Sequence, residues 1–314
     1  MKHFFKLFML ASLLISANLL KANSNGEKDP IEGRWDLTVD YEGRQAASWL
    51  EVRHTGINGY IGRFVWEGGS ARPISKVEFK DGKVSFHIPA QWEKTDKELI
   101  FNGLLKDGKL AGTIINTNEK TYSFVGEKAP KLWRDKAPKW GTPIKLFNGK
   151  DLTGWQAIGG ENQWMVENGV LKSPKSGANI RTVKTFNDFK LHIEFKYPKG
   201  SNSGVYLRGR YEVQIEDNKG MEPMSLYLGG IYGFIDPWLN VAKDAGEWQT
   251  YDVELVGRMV TVVANGTTII YKQEIPGVTG GALDSKEGAP GPIMMQGDHG
   301  PIEFRNIVLT PAVN

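Results

Sequence analysis

The 314-residue chain contains no cysteine. That excludes disulfides, thiol catalysis and a lipid anchor on an N-terminal Cys, so a Cys-anchored lipoprotein is ruled out. A surplus of charge is missing too. Of 39 basic residues, Lys2, Lys6 and Lys21 fall in residues 1–22, which hold no Asp or Glu, and their removal leaves 36 basic against 36 acidic residues. A sequence-independent nucleic-acid binder needs an excess of Lys and Arg. No nucleic acid is therefore expected, and a neutral partner such as a sugar fits better. The apolar stretch Leu7–Leu20 is interrupted by Ser12, Ser16 and Asn18 and is shorter than the ~20 residues of a membrane span. With Lys2 and Lys6 before it and Lys21-Ala22 after it, it predicts a secretory signal peptide over residues 1–22. The expected protein is exported, periplasmic or secreted, with no membrane span in its mature chain. No phosphate loop, nucleotide fingerprint or Gly-x-Ser-x-Gly elbow occurs, and no amphipathic helix of useful length is evident.

What is present is strand pattern, and the expected fold class is all-β. Residues 30–127 read as a small barrel or sandwich of about eight short strands. Asp81-Gly82 and Asp107-Gly108 lie between strand-like runs. Both residue types tolerate the positive φ of tight hairpin turns. Gly33-Arg34-Trp35 resembles the Gly-x-Trp near the first strand of lipocalin-like barrels. Residues 128–143, with Pro130, Pro138 and Pro143, read as a linker that Trp133 and Trp140 pin to one domain. Residues 144–311 read as a β-sandwich. Leu191, Ile193, Phe195 and Tyr197 alternate with Lys190, His192, Glu194 and Lys196, and Asn265-Gly266 marks a further hairpin.

The run Tyr211-Glu212-Val213-Gln214-Ile215-Glu216-Asp217 is the most informative. Alternation puts Val213 and Ile215 on one face and two carboxylates and an amide on the other, a surface suited to a hydroxyl-rich ligand or to plain solvent. Its neighbours add to this. Lys145-Leu146-Phe147-Asn148-Gly149-Lys150-Asp151-Leu152-Thr153-Gly154-Trp155, Trp164–Leu171, Asn202–Asp217, Gly230-Ile231-Tyr232-Gly233, Gly246–Tyr251, Gln296-Gly297-Asp298-His299-Gly300 and Phe304–Ile307 occur in order. Together they resemble the 3-keto-disaccharide hydrolase family from Ile144 onward. The resemblance implies a concanavalin A-like jelly roll of two curved sheets, with the site on the concave face.

It also implies a chemistry. A ketone at C3 acidifies the C2 proton; a base removes it, the enolate expels the C1 substituent, and water adds to the 2-hydroxy-glucal. Such a site needs a base, a cation or donor at the enolate oxygen and a donor to the leaving group. His299, in a Gly-flanked loop, is the first candidate for the base. Glu212, Gln214 and Asp217 match the family's acid-x-Gln pattern and the Asp that follows. Glu194 is expected as a further concave-face carboxylate. Arg208, bracketed by Gly204 and Gly209, stays protonated and is expected to hold a carbonyl or hydroxyls. Tyr206, Glu216, Tyr232, Trp238 and Gln296 complete the expected substrate contacts, with Trp248 more in the manner of a core residue. A hard cation held by Glu194, Glu212, Glu216, Asp217 and His299 stays open, and no other cofactor is implied. The keto sugar would come from a separate sugar 3-oxidoreductase. Two alternatives stand beside this: a lectin-like binding module, and a conventional glycosidase. The second is weakened because Gln214 occupies the position ~6.6 Å from Glu212 along the strand.

Overall fold

Nine strands between Gly33 and Lys128 hydrogen-bond in a single antiparallel sheet that returns on itself. A computed structural model describes residues 29–313; the expected signal peptide at 1–22 lies outside them. The first strands are β1 (Gly33–Tyr41), β2 (Arg44–Thr55), β3 (Gly59–Val65) and β4 (Arg72–Ile74). They are followed by β5 (Glu78–Lys80), β6 (Lys83–Ile88), β7 (Leu99–Lys106), β8 (Lys109–Ile115) and β9 (Thr121–Lys128). The order is β4-β3-β2-β1-β9-β8-β7-β6-β5. Three residues join β4 to β5, so the two edges of the sheet meet and the meander curls into a barrel around Trp35, Leu37, Phe64, Phe86 and Phe101. The Asp-Gly hairpins form as the sequence requires: Asp81 and Gly82 have φ of 52° and 76°, and Asp107 and Gly108 have 52° and 75°.

The connecting segment is more ordered than its prolines suggest. Leu132 is buried, and Arg134 binds Asp188 at 2.7 Å. Trp133, expected as a pin, is 67% exposed. Trp140 pairs as part of a short strand, β10 (Lys139–Trp140), with the C-terminal strand Ile302–Val313.

The remainder is a sandwich. Its strands are β11 (Ile144–Lys145), β12 (Trp155–Ile158), β13 (Met165–Glu167), β14 (Val170–Ser173), β15 (Asn179–Thr182), β16 (Phe189–Lys196) and β17 (Asn202–Leu207). Then come β18 (Tyr211–Glu216), β19 (Gln249–Val256), β20 (Met259–Ala264), β21 (Thr267–Glu274), β22 (Met294–Met295) and β23 (Ile302–Val313). One sheet runs β13-β14-β23-β16-β19-β20-β21, with β10 and β11 on β23; the other runs β12-β15-β22-β17-β18. Leu191, Ile193 and Phe195 of the first face Val205, Val213 and Ile215 of the second in one core. The protein is all-β, as expected: among the described residues no helix occurs, and none is long and apolar enough to cross a membrane.

Strand β2 explains how barrel and sandwich join. Leu50 and Val52 enter the barrel core. The alternate residues Ala47 and Trp49 are equally buried, in a patch with Val65 and Val278, and Trp49 meets Phe234 edge-on at 5.2 Å. A strand apolar on both faces has a neighbour on each. A polar seam lies nearby. Glu287 is fully buried, bound by Arg258 at 2.5 Å and by the Tyr211 hydroxyl at 2.7 Å. Burial pushes its carboxyl up, but Arg258 outweighs this and holds it below the usual range. Asp36 of β1 meets Glu287, and two adjoining carboxyls do not both ionise. Burial, reinforced by Glu287, pushes Asp36 from 3.8 up to about 9.

The linkage has a definite sign. Between about pH 4 and pH 9 the folded protein holds a proton on Asp36 that the unfolded chain has released. Stability from this group is full below about pH 4 and is lost as pH rises through 9. Asp36→Asn should flatten that slope and raise Tm at pH 8, by about 2–4 °C per kcal/mol recovered, with little change at pH 4; thermal melts across pH measure it.

Candidate active site

The outer face of the five-stranded sheet carries the site. Asn202, Gly204 and Tyr206 of β17 stand opposite Glu216, Gln214 and Glu212 of β18. Val205, Val213 and Ile215 point the other way into the core, so period-2 alternation alone aims the polar set outward. Gly204 is decisive. A Cβ there would overlap the Glu212 carboxylate; with only hydrogen, the side chain lies across β17 and is buried.

This face forms one wall of a cavity of about 580 Å³, within the size range of small-ligand sites. Tyr206, Glu212, Gln214, Tyr232, Gln296 and His299 all line it, together with Asn179, Asn202 and Asp298. The opposite wall comes from the barrel: Arg44, Gln45 and the Glu67-Gly68-Gly69 turn.

Electrostatics distinguish the members. Burial pushes Glu212 from 4.5 up to about 8, against the opposing pull of Tyr206 and His299. It is therefore mostly neutral at pH 7. Tyr206 has one hydroxyl proton and lies 2.9 Å from both Glu212 Oε2 and the Gly280 carbonyl oxygen. The carbonyl only accepts. The hydroxyl therefore donates to one of the two at a time, and its bond to Glu212 favours the ionised carboxylate, against the effect of burial. His299 Nδ1 lies 2.7 Å from Asp298 Oδ1. The Nδ1–H donates to that carboxylate, which leaves Nε2 of the neutral ring as an acceptor. The hydrogen bond to Asp298 raises the His299 pKa; burial opposes the rise, and Glu212 and Glu216 reinforce it. Burial and Glu212 raise Tyr232. The side-chain oxygens Gln214 Oε1 and Gln296 Oε1 are buried and receive no protein donor.

Several expected residues are elsewhere. Glu194 lies on the other sheet, held by Arg305 at 2.6 Å and by Asn306 at a register shift between β16 and β23. Burial pushes its carboxyl up, but Asn306 and Arg305 together outweigh this and keep it below the usual range, so it is an ion-pair partner and not a cavity carboxylate. Arg208 is 1% exposed and binds the Tyr211 hydroxyl and the Gly257 carbonyl, each at 3.0 Å. Its φ of 53° and the following Gly209 make the β17–β18 turn; the glycine serves the hairpin, not a ligand. Asp217 accepts from the Gly200 amide at 2.8 Å and does not line the cavity. Glu216 is half-buried at the margin and bound to Asn202; burial raises its carboxyl. Trp238 is exposed away from the site. Trp248 is half-buried beneath Arg305, 3.9 Å from its ring centroid. With Glu194 and Asp217 so placed, the proposed cation ligands do not converge: among the described residues no group of three His, Asp or Glu side chains is arranged to hold a metal. The sequence reading missed Asp298 as partner of His299, although the two are adjacent, and missed the barrel wall, for which no local signal exists.

Carboxyl NMR on labelled protein should show one glutamate titrating near 8 that disappears in Glu212→Gln. Tyr206→Phe should move that midpoint upward, because the hydroxyl's hydrogen bond favours the ionised form. A midpoint near 4.5 would contradict the burial argument.

Residues 142–310 match the family described as the 3-keto-alpha-glucoside-1,2-lyase-like domain. A 3-keto-disaccharide hydrolase from Bacteroides thetaiotaomicron is 30% identical over 96 residues, which are 26% of this chain and 33% of that protein, so the match spans about a third of the relative's length. Among solved structures, a candidate glycosyl hydrolase from Parabacteroides distasonis is 30% identical, over 57% of this chain and 94% of that one, with a TM-score of 0.46. A beta-glucanase from Bacillus licheniformis is 15% identical, over 57% of this chain and 100% of that one, with a TM-score of 0.37. Because the family match takes in more than half of its length, this chain belongs to the 3-keto-alpha-glucoside-1,2-lyase-like domain family.

Proposed function

We propose that this protein cleaves 3-keto-glycosides by elimination and hydration. The observation that carries the reading is the meeting, in one cavity, of a buried neutral Glu212 with the Asp298–His299 pair. His299 Nε2 takes the C2 proton, with Asp298 fixing the ring and favouring the imidazolium that forms. Glu212 gives its proton to the departing C1 oxygen. Tyr206 and Gly280 hold Glu212 in place. Tyr232 lies on the same wall as a donor to oxygens of the substrate. Gln214 and Gln296 line the same cavity as polar contacts for ring hydroxyls. Water then adds across the 2-hydroxy-glucal, with the two groups exchanging proton roles.

Conventional hydrolysis is less well served. Glu212 and Glu216 are separated by four residues on one strand, or ~13 Å along the backbone, beyond the ~5–9.5 Å that paired glycosidase carboxyls need. The substrate's ketone requires a prior oxidation, which we assign to a separate sugar 3-oxidoreductase. The signal-like N-terminus supports export, to the periplasm or beyond.

The full-length protein should therefore turn over 3-keto-trehalose and not trehalose. His299→Ala and Glu212→Gln should each cost ~10²–10⁴-fold in kcat. The pH profile should be a narrow bell. Activity rises as His299 loses its proton, above its ordinary 6.5, and falls as Glu212 ionises at about 8. Asp298→Asn should move the acid limb to lower pH. Cleavage of unoxidised trehalose, or binding of it without turnover of either sugar, would favour a glycosidase or a lectin instead.

A further inference from the structure

The cavity has two walls, and only one belongs to the family-matching region. Glu212, Tyr206 and His299 stand on the sandwich wall, so the ring that loses its C2 proton must lie there. The rest of the substrate continues toward the barrel. That wall offers no aromatic ring and one ion pair. Arg44 Nη2 binds Glu67 Oε2 at 2.7 Å, and Arg44 is the one Lys or Arg among the cavity-lining residues. Its guanidinium also rests 5.0 Å from the centroid of the Tyr41 ring, so it is held from two directions.

The Glu67 turn is fixed in turn by the sandwich. The Glu67 carbonyl accepts from the Gly281 amide at 3.0 Å, and Gly281 adjoins Gly280, the acceptor for Tyr206. Behind the turn, Trp92 packs on Gly69, and Arg72 lies 3.9 Å from the centroid of the Trp92 ring. The barrel wall is thus tied to the sandwich beside the acceptor of Tyr206.

We propose that Arg44 and Glu67 form the subsite for the leaving group, and that they select a polyhydroxylated one. A guanidinium edge beside a carboxylate presents donors next to acceptors. This matches two neighbouring hydroxyls, of which one oxygen accepts from Arg44 and one proton is given to Glu67. An alkyl or aryl group has no such pair and gains nothing there. The inference rests on the cleavage of 3-keto-glycosides proposed above and gives the barrel, outside the family-matching region, a part in holding the leaving group.

The test compares kcat/KM for 3-keto-trehalose and methyl 3-keto-α-glucoside in the wild type, Arg44→Ala, Arg44→Lys and Glu67→Gln, with thermal melts to confirm folding. Arg44→Ala should lose ~10–100-fold on the disaccharide, the range of a hydrogen bond to a charged group, and change by less than about twofold on the methyl glycoside. Arg44→Lys should recover part of the loss. An equal loss on both substrates, or no loss on either, would overturn the subsite. If the wild type cleaves neither keto sugar, the catalytic reading fails by itself. Calorimetry of 3-keto-trehalose and trehalose then decides the subsite: weakened binding in Arg44→Ala supports it, and unchanged or undetectable disaccharide binding to the wild type overturns it.

Discussion

The carboxyl of Glu212 lies across Gly204 in a sheet face that the barrel covers, and the chemistry of the cavity depends on that burial. A longer side chain at position 204 would displace it. An open face would leave it solvated and ionised. Covered, it rises to about 8 and becomes an acid at neutral pH. The charge balance with His299 follows from that one protonated group.

The barrel is therefore more than an appendage. Strand β2 is apolar on both faces because it belongs to two interfaces. Ala47 and Trp49 on its outward side, with Val65 of β3, pack against Val278 of the sandwich, while Arg44 and Gln45 at its start reach the cavity. The polar seam from Asp36 through Glu287 and Arg258 to Tyr211 and Arg208 lies on the same junction. Arg208, which looks in sequence like a ligand for a carbonyl, is a member of this seam. Buried charges of this kind need partners, and breaking one pair strands the other; that accounts for these contacts without any role in binding.

Local rules made much of this legible. Alternation placed Glu212 and Gln214 on one face, because neighbours in a strand cannot share a face. The positive φ that Asp-Gly and Asn-Gly permit marked the hairpins at 81–82, 107–108 and 265–266. Such rules stop at the edge of an element. Alternation also put Glu194 on a polar face, but it does not say which sheet that face belongs to, and β16 lies in the sheet opposite the cavity. Glycines at 204 and 209 look alike in sequence; one admits a carboxylate and the other closes a turn. The Arg44–Glu67 wall was invisible because it is separated from Glu212 by more than 140 residues and carries no motif. The burial that makes Glu212 an acid is likewise a property of the assembled junction and of no single segment.

The central claim is that proton removal at C2 precedes loss of the C1 group. Turnover of 3-keto-trehalose in deuterated water, followed by mass spectrometry and proton NMR, tests it most directly. The account predicts 3-keto-glucose carrying deuterium at C2, with no label at C2 in the His299→Ala protein beyond the buffer control. Release of 3-keto-glucose with its C2 proton intact would contradict it and return the site to direct displacement at C1.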